Sequence, residues 1–317
     1  MREITYNDAV RESLQEEMRR DPDVFLMGED VAVLGGVFRS TRGLLAEFGC
    51  ERIRDTPLSE SGFMGAGVGA ALTGMRPVVE LMFCDFFTVA MDQVINQAAK
   101  LHYMTGGKLK VPLTIRTTIG AGRSSAAQHS QSLHAWFMHV PGLKIVIPSV
   151  PADVKGLITA AIRDDNPVIV FEHKFLYNTK GLCPEGEYVV PLGMADVKRE
   201  GTDVTVVATS MMVLKALQAA ETLGKEGISV EVVDPRTLVP LDKETIIGSA
   251  KKTGKVVVAD EGYPRCGFAS EIAALVQEEA FDYLDAPVKR ITNADCPIPF
   301  AIPQERFVMP DENKIAD

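Results

Sequence analysis

No stretch of about 18 consecutive apolar residues occurs in the chain, so no segment is expected to cross a bilayer as a helix. The first residues, Met1-Arg2-Glu3-Ile4, lack the apolar centre of a signal peptide, and a cytoplasmic protein is expected. Cysteine is sparse and scattered. Cys50, Cys84, Cys183, Cys266 and Cys296 contain no Cys-x-x-Cys pair, which speaks against a zinc site or a disulfide framework and leaves buried or inert thiols as the expectation. Clusters of Lys and Arg are also missing. With 33 basic against 43 acidic residues and a formal net charge of -10, no nucleic acid or anionic membrane partner is expected, because phosphate binding relies on clustered positive charge.

What is present is an ordinary globular composition: 317 residues, 46% hydrophobic and 24% charged. That length exceeds one small core and predicts roughly two domains. Helix and strand patterns alternate, the signature of a mostly parallel sheet covered by helices, so the fold class is α/β. A helix is predicted near Tyr6 to Arg20, with Ala9, Val10, Leu14 and Met18 on one stripe, followed by a strand at Val24 to Met27. Further strands fit Pro77 to Phe83, Val111 to Thr117, Leu143 to Ile147 and Val168 to Glu172, with helices near Thr88 to Met104 and Ala152 to Arg163. Asn178 to Pro191 has turn residues and no apolar period and reads as a linker. A second, smaller alternation follows: strands near 203–208, 229–233 and 255–259, and helices near 212–223, 243–250 and 270–279. The domains are therefore expected at 1–180 and 196–317 with a linker at 181–195, and the acidic tail after Pro310 is expected to fray or to lie at an interface.

The segment Asp55-Thr56-Pro57-Leu58-Ser59-Glu60 sets one carboxylate just ahead of a helix built from small residues, Ser61 to Ala71. Pro57 and Ser59 can start that helix, and its Gly/Ala face lets a backbone or a flat ligand come close. Glu60 then points at whatever fills the gap, or else only complements the helix dipole. Gly65-Ala66-Gly67-Val68-Gly69-Ala70 formally matches a dinucleotide fingerprint, but Arg54-Asp55-Thr56-Pro57 precedes it where a buried strand should feed in directly, so it is read as a decoy. Gly120 to Ser125 follows a strand without opening a helix and reads as a flexible active-site loop. The adjacent aromatics Phe86 and Phe87 end the strand that carries Glu80; one of them stacks on a ring, or both pack in the core. His129, in the polar loop Gln128-His129-Ser130-Gln131, is a proton shuttle, an anion contact or a surface histidine.

Together these segments are more specific than apart. Asp-Thr-Pro-Leu-Ser-Glu-Ser-Gly-Phe at 55–63, Ala-Gln-His-Ser-Gln-Ser at 127–132, Pro-Gly-Leu-Lys-Ile-Val at 141–146, Ala-Ile-Arg-Asp-Asp-Asn-Pro at 161–167 and Asp-Pro-Arg-Thr-Leu-Val-Pro-Leu-Asp at 234–242 occur in that order. Over nearly its full length the chain resembles the beta subunit of the thiamine-diphosphate-dependent first component of 2-oxo acid dehydrogenase complexes, a group that includes the acetoin dehydrogenase beta subunit. The resemblance implies two doubly wound domains, an N-terminal pyrimidine-binding thiamine-diphosphate domain and a smaller transketolase C-terminal-like domain. It implies that Glu60 hydrogen-bonds N1′ of the cofactor's aminopyrimidine, so that the 4′-imine can remove the thiazolium C2 proton. Leu58 would line the cofactor, burial amid Gly, Phe and Leu58 would strengthen that bond, and Phe86 would stack on the ring. His129 would face the substrate or a lipoyl group during acyl transfer, with Gln128, Ser130 and Gln131 able to fix its ring. A monovalent-cation site for K⁺ would map onto main-chain carbonyls of Leu113, Ala161, Ile162, Asp164 and Asn166; from the residues alone, Arg163 to Pro167 is a polar turn ahead of a strand.

Thiamine enzymes hold Mg²⁺ and the diphosphate with a Gly-Asp-Gly motif, and none occurs here. This chain would supply only the pyrimidine half of the site. An alpha subunit would supply Mg²⁺ and the diphosphate half in an α2β2 heterotetramer, packed on the small-residue helix at Gly62 to Gly74. The segments Asp234 to Thr237 and Asp260 to Tyr263 belong to the domain that the family uses for dimerisation and for binding the lipoyl-bearing acyltransferase. Glu172 to Tyr177 and Asp260 to Cys266 look closer to acetoin dehydrogenase, whereas Gly36 to Arg39 and Ser130 to Phe137 look closer to pyruvate dehydrogenases. Either substrate gives the same two-carbon acyl carbanion or enamine on the cofactor, with loss of acetaldehyde or of CO₂, before transfer to lipoamide. A branched-chain 2-oxo acid dehydrogenase beta subunit, a self-contained thiamine transketolase and a non-catalytic nucleotide-binding or scaffold protein are the alternatives. The missing Gly-Asp-Gly segment weighs against the transketolase.

Overall fold

Tyr6, Ala9, Val10, Leu14 and Met18 recur at spacings of three and four, and all five become the sealed face of the first helix. The structure, a computed structural model, describes residues 1–317. It divides into two compact units, residues 1–119 with 137–192, and residues 120–136 with 193–317.

In chain order the first stretch runs β1 (Arg2–Thr5), α1 (Tyr6–Arg20), β2 (Val24–Gly28), α2 (Leu44–Phe48), β3 (Ile53–Asp55), α3 (Glu60–Leu72) and β4 (Arg76–Leu81). Next come α4 (Phe87–Met91), a π-helical stretch Asp92–Ala98, α5 (Ala99–Met104) and β5 (Thr114–Ile119). Then follow α6 (His134–Met138), β6 (Lys144–Val146), α7 (Pro151–Arg163), β7 (Val168–His173) and β8 (Lys180–Cys183). Within the first unit the strands lie in the order β6-β7-β5-β4-β2-β3, every pair parallel. Strands β2, β5 and β7 are buried along their whole length, as parallel strands covered on both faces must be. Thr5 caps α1 by accepting the Asp8 amide at 3.0 Å, and Arg19 and Arg20 complement the dipole in its last turn. Helix α1 packs on α7. The fully buried ammonium of Lys155 in α7 is paired there with Glu16 at 2.8 Å and the Gly186 carbonyl at 3.0 Å.

The second stretch runs β9 (Asp196–Arg199), β10 (Val204–Ala208), α8 (Met211–Gly224), β11 (Val230–Asp234), β12 (Thr237–Val239), α9 (Lys243–Thr253) and β13 (Val256–Ala259). It finishes with α10 (Phe268–Ala280), β14 (Lys289–Ile291), α11 (Ile302–Val308) and α12 (Glu312–Ala316). Its sheet has the order β14-β13-β10-β11-β9, parallel except for β9. No helix of the chain is long and apolar enough to cross a membrane.

Two expectations need correction. The segment read as a linker carries β8, which pairs antiparallel with β1 from Arg2 opposite Cys183 to Thr5 opposite Lys180. A short, solvent-facing two-stranded ribbon needs no apolar alternation, so the sequence showed none. The acidic tail is docked rather than frayed: Asp311 caps α12 by accepting the amides of Asn313 and Lys314, and Ile315 is buried in the core formed by α8 and β10. By packing, residues 120–136 cluster with the second unit, so the two units are interleaved in sequence. All five thiols are free, with Cys84 and Cys183 buried and Cys50 and Cys266 exposed.

Candidate active site

Strand β2 ends at Gly28 and β3 at Asp55, side by side in register, and the Thr56 amide donates to the Gly28 carbonyl at 2.9 Å. The chain then enters α3 with Glu60 as its first residue, at the positive end of the helix dipole. Glu29, one residue beyond β2, comes close to it. Glu29 is 6% exposed, its Oε1 has no hydrogen-bond partner, and its carboxyl is pushed above the usual carboxylate range by burial first and by the charge of Glu60 second. The pairing is a product of the parallel sheet, which delivers the carboxyl ends of adjacent strands to one edge. The sequence signal that could have found Glu29 is a carboxylate directly after a buried apolar strand.

Helix α3 is held tightly from below. A Cβ on Gly67 would stand 2.6 Å from Val79 Cγ2, so only glycine allows α3 to lie this close to β4. Phe63, Met64, Val68 and Ala71 are buried, while Ser61, Gly62, Ala66 and Gly69 form a flat exposed face. The dinucleotide-like glycines lie inside this helix and not in a strand-to-helix turn. Leu58 is 83% exposed, so it does not bury Glu60 within this chain, contrary to expectation. It is an uncovered apolar side chain beside the carboxylate.

The two aromatics after β4 divide their labour. A 3₁₀ turn, Cys84–Phe86, swings Phe87 into the core, where its ring sits 4.4 Å from that of Phe137. Phe86 stays half-buried, edge-on to Phe83 at 5.9 Å. Beneath this edge lies a charged cluster that the sequence did not reveal. Arg116 of β5, 1% exposed, donates to Glu80 of β4 at 2.8 Å and to both oxygens of Glu172 of β7 at 2.7 and 2.9 Å. Tyr177 donates to the same Glu172 at 2.9 Å. Burial pushes the Glu80 carboxyl up, against the pull of Arg116. Burial pulls the Arg116 guanidinium down, but Glu172 and Glu80 more than offset it. Charges set in otherwise apolar parallel strands were the available hint, since such groups are buried only when paired.

The raised Glu29 carboxyl gives a pH-dependent expectation. The native state holds that proton more tightly than the unfolded chain does, so ionised Glu29 works against the fold above the ordinary glutamate value of about 4.3. Glu29→Gln should therefore raise the melting temperature of the chain by a few degrees near pH 8, with the gain shrinking as pH falls toward about 4. A melting temperature lowered by the substitution at about pH 8 would contradict the strained-carboxylate account.

Of the expected cation ligands, Ala161, Ile162, Asp164 and Asn166 lie at the end of α7 and the turn after it and Leu113 just before β5, and hydrogen bonds within the chain already draw on the carbonyls of Leu113, Ala161, Ile162 and Asp164. Arg76 donates through one nitrogen to the carbonyls of Ile162 at 3.0 Å and Asp164 at 3.1 Å. The Leu113 carbonyl accepts the Val168 amide and the Ala161 carbonyl accepts the Asp164 amide. Asn166 donates from both its backbone and side-chain nitrogens to Asp164 Oδ1, each at 2.9 Å. A guanidinium thus supplies positive charge where carbonyls converge, and no group of three or more His, Cys, Asp or Glu side chains could hold a metal ion.

His129 belongs to the second unit, on the irregular segment between β5 and α6. Its backbone amide donates to the Ala126 carbonyl at 3.4 Å and its side chain is half-buried. The buried hydroxyls of Ser130 and Ser132 make no hydrogen bond within the chain. Ser130 is therefore not the residue that fixes the His129 ring, as had been expected. A cavity of about 440 Å³ opens beside the same segment, lined by Ala127, Gln131, Tyr263, Asp295, Cys296 and Pro297. At the far end of the segment His134, buried at the start of α6, pairs with Asp260 at 3.1 Å. Burial opposes ionisation of Asp260, but His134, the Thr209 hydroxyl and the Gly262 amide together hold its carboxyl below the usual range.

Comparison with known proteins also divides the chain in two. Residues 2–180 match the family described as transketolase, pyrimidine binding domain, and residues 193–315 match transketolase, C-terminal domain. The chain is 51% identical to the acetoin:2,6-dichlorophenolindophenol oxidoreductase subunit beta of Bacillus subtilis (strain 168), over 99% of this chain and 95% of that one. It is 48% identical to the mitochondrial pyruvate dehydrogenase E1 component subunit beta of Dictyostelium discoideum (100% and 90% covered). The 2-oxoisovalerate dehydrogenase subunit beta of Bacillus subtilis (strain 168) is also 48% identical (98% and 96% covered). Among solved structures, a protein titled split gene transketolase, inactive beta4 tetramer, superposes with a TM-score of 0.81 at 24% identity, covering 99% of this chain and 96% of that one, a likeness of fold. Across both of its units, therefore, the chain belongs to the transketolase-type, thiamine-diphosphate-dependent family that contains the pyruvate and acetoin dehydrogenase beta subunits.

Proposed function

We propose that this chain is the beta subunit of a pyruvate or acetoin dehydrogenase, and that it takes up the aminopyrimidine half of thiamine diphosphate at the N-terminus of α3. The observation that carries the reading is the carboxylate pair there: Glu60 at the helix start, beside a buried Glu29 whose Oε1 finds no partner in the chain. An orphaned buried acceptor, with the exposed Leu58 and the half-buried Phe86 offered by the same unit, fits a ligand that is polar on one edge and flat and apolar on its faces. Once bound, thiamine diphosphate supplies the carbon nucleophile and the electron sink for a 2-oxo acid or an acetoin. The chain's task is orientation and proton control. Glu60 accepts a hydrogen bond from the ring nitrogen N1′ and holds the proton there, Phe86 offers its ring as a stacking surface, and Leu58 adds apolar contact. His129 meets the acyl group or its lipoyl acceptor, with the proton-transfer capacity that an imidazole has near neutral pH.

The same reading assigns the rest of the assembly. An alpha subunit carries Mg²⁺ and the diphosphate, two alpha and two beta chains form an α2β2 heterotetramer, and a lipoyl-bearing acyltransferase receives the acyl group. The small-residue face of α3 suits close packing against a second chain. A monovalent cation such as K⁺ would have to share the carbonyls of Leu113, Ala161, Ile162, Asp164 and Asn166 with the hydrogen bonds already drawn there, using their second lone pairs.

The test is a pair of assays on the enzyme reconstituted with its alpha partner and thiamine diphosphate, offered acetoin, pyruvate and 2-oxoisovalerate. Turnover with acetoin or pyruvate is expected, and a clear preference for 2-oxoisovalerate would move the assignment to the branched-chain enzymes, to which the chain is comparably similar. His129→Ala should lower lipoyl-linked turnover on the order of 10²-fold, the scale of a lost proton-transfer group, while cofactor affinity changes little. If instead cofactor affinity falls and acyl transfer is untouched, the role given to His129 is wrong.

A further inference from the structure

The segment that carries His129 has no helix or strand of its own from Gly120 to Leu133, yet it is held at specific backbone atoms. The amide of Gly122 donates to Glu305 Oε1 at 2.7 Å, and the amide of Ser124 donates to Oε2 of the same carboxylate at 3.0 Å. The Ala121 amide reaches Glu261 Oε2 at 3.4 Å, and the Gly120 amide closes the neck of the loop on the Gln131 carbonyl at 3.3 Å. Every second residue here is left-handed: φ is 99° at Gly120, 102° at Gly122, 52° at Ser124 and 58° at Ala126. The loop thereby turns the amides of Gly122 and Ser124 toward one carboxylate, a small anion receptor made of backbone. In many proteins that receptor takes a phosphate. Here it is filled by a side chain of the same polypeptide.

Glu305 is built for that task. It is 1% exposed, lies in α11, and sits beside a small apolar cluster of Ala121, Ile298 and Val308 that ties the start of the loop to the same element. A buried carboxylate whose two oxygens each accept a different loop amide specifies the loop's path, since losing either bond leaves a buried amide without an acceptor.

Resting on the function proposed above, we infer that Glu305 is a positioning residue for His129: its carboxylate is the internal anion around which residues 120–126 fold, and it thereby sets where the histidine stands. Glu305→Gln is the discriminating change. The amide keeps the volume but presents an N–H to one of the two loop amides, so one bond is lost and a donor faces a donor. Glu305→Asp keeps the charge and shortens the reach, so it should rescue part of the effect.

The experiment uses the assembled enzyme with its alpha partner and reads two quantities. Backbone amide exchange at Gly122 and Ser124 should speed up in E305Q. Lipoyl-linked turnover should fall by about tenfold or more, as expected for a misplaced catalytic group, and by a larger factor than dye-linked turnover; E305D should lie between E305Q and the unaltered enzyme. Retained exchange protection in E305Q, or lost protection with lipoyl-linked turnover intact, would overturn the inference. Should E305Q fail to assemble, exchange in the unaltered enzyme decides: slow Gly122 and Ser124 amides support the inference, and fast ones refute it. His129→Ala run in parallel reports on the functional reading alone. If H129A transfers acyl groups normally, that reading fails, whereas the exchange data still decide whether Glu305 holds the loop.

Discussion

Glu60→Gln is expected to slow exchange of the thiazolium C2 proton by at least about 10²-fold in the reconstituted enzyme, the scale of a lost acid–base interaction. The substitution keeps the side-chain volume, and Glu60 opens α3 without being fully buried, so the fold should persist. In the proposed role, what the amide cannot do is carry negative charge at the ring nitrogen, and that charge would favour the tautomer able to take the C2 proton. The site is arranged to make the charge effective. Glu60 stands at the positive end of α3, and the neighbouring Glu29 is pushed toward its protonated form by burial and by Glu60 itself. The measurement is hydrogen–deuterium exchange at C2 under acid quench. Exchange at the unaltered rate in correctly folded E60Q would sink the assignment of Glu60.

The purified chain alone is expected to turn over neither pyruvate nor acetoin and to bind thiamine diphosphate weakly. Adding an alpha partner with a Gly-Asp-Gly segment should restore both. The chain has no such segment and no cluster of side chains able to hold a metal ion. The diphosphate and its Mg²⁺ carry the largest charges in the ligand, so a half-site offering only a carboxylate, a Phe face and an apolar side chain lacks the main source of affinity. The relatives are each a subunit beta, in agreement with a divided enzyme. Dye reduction by the chain with either substrate, with no second polypeptide present, would refute the divided-site reading outright.

Much of this protein was legible from local pattern. The stripe from Tyr6 to Met18, the apolar runs that became β2 and β7, and the break into two doubly wound units all follow from periodicity, because buried parallel strands and amphipathic helices impose their period on the residues themselves. The segments at 55–63, 80–87 and 127–132 were enough to single out Glu60, Phe86 and His129 as candidates. Elements with little burial of their own left no such trace. The β1–β8 ribbon and the docked α12 depend on partners far away in sequence, and no local window contains both halves of either contact.

The tertiary structure alone decided which side chains share a surrounding. It set Glu29 beside Glu60 by aligning β2 and β3, and joined Glu80, Arg116 and Glu172 across three adjacent strands. It sent Phe87 into the core while leaving Phe86 at the edge, a choice made by a single 3₁₀ turn that two adjacent identical letters cannot encode. It also left Leu58 uncovered and brought Glu305 onto the amides of Gly122 and Ser124, more than a hundred residues away in sequence. The physical reason is common to all of these. Burial periodicity is a property of one segment and is written into it, whereas an electrostatic or hydrogen-bonded pairing belongs to two segments and exists only once the sheet has fixed their register.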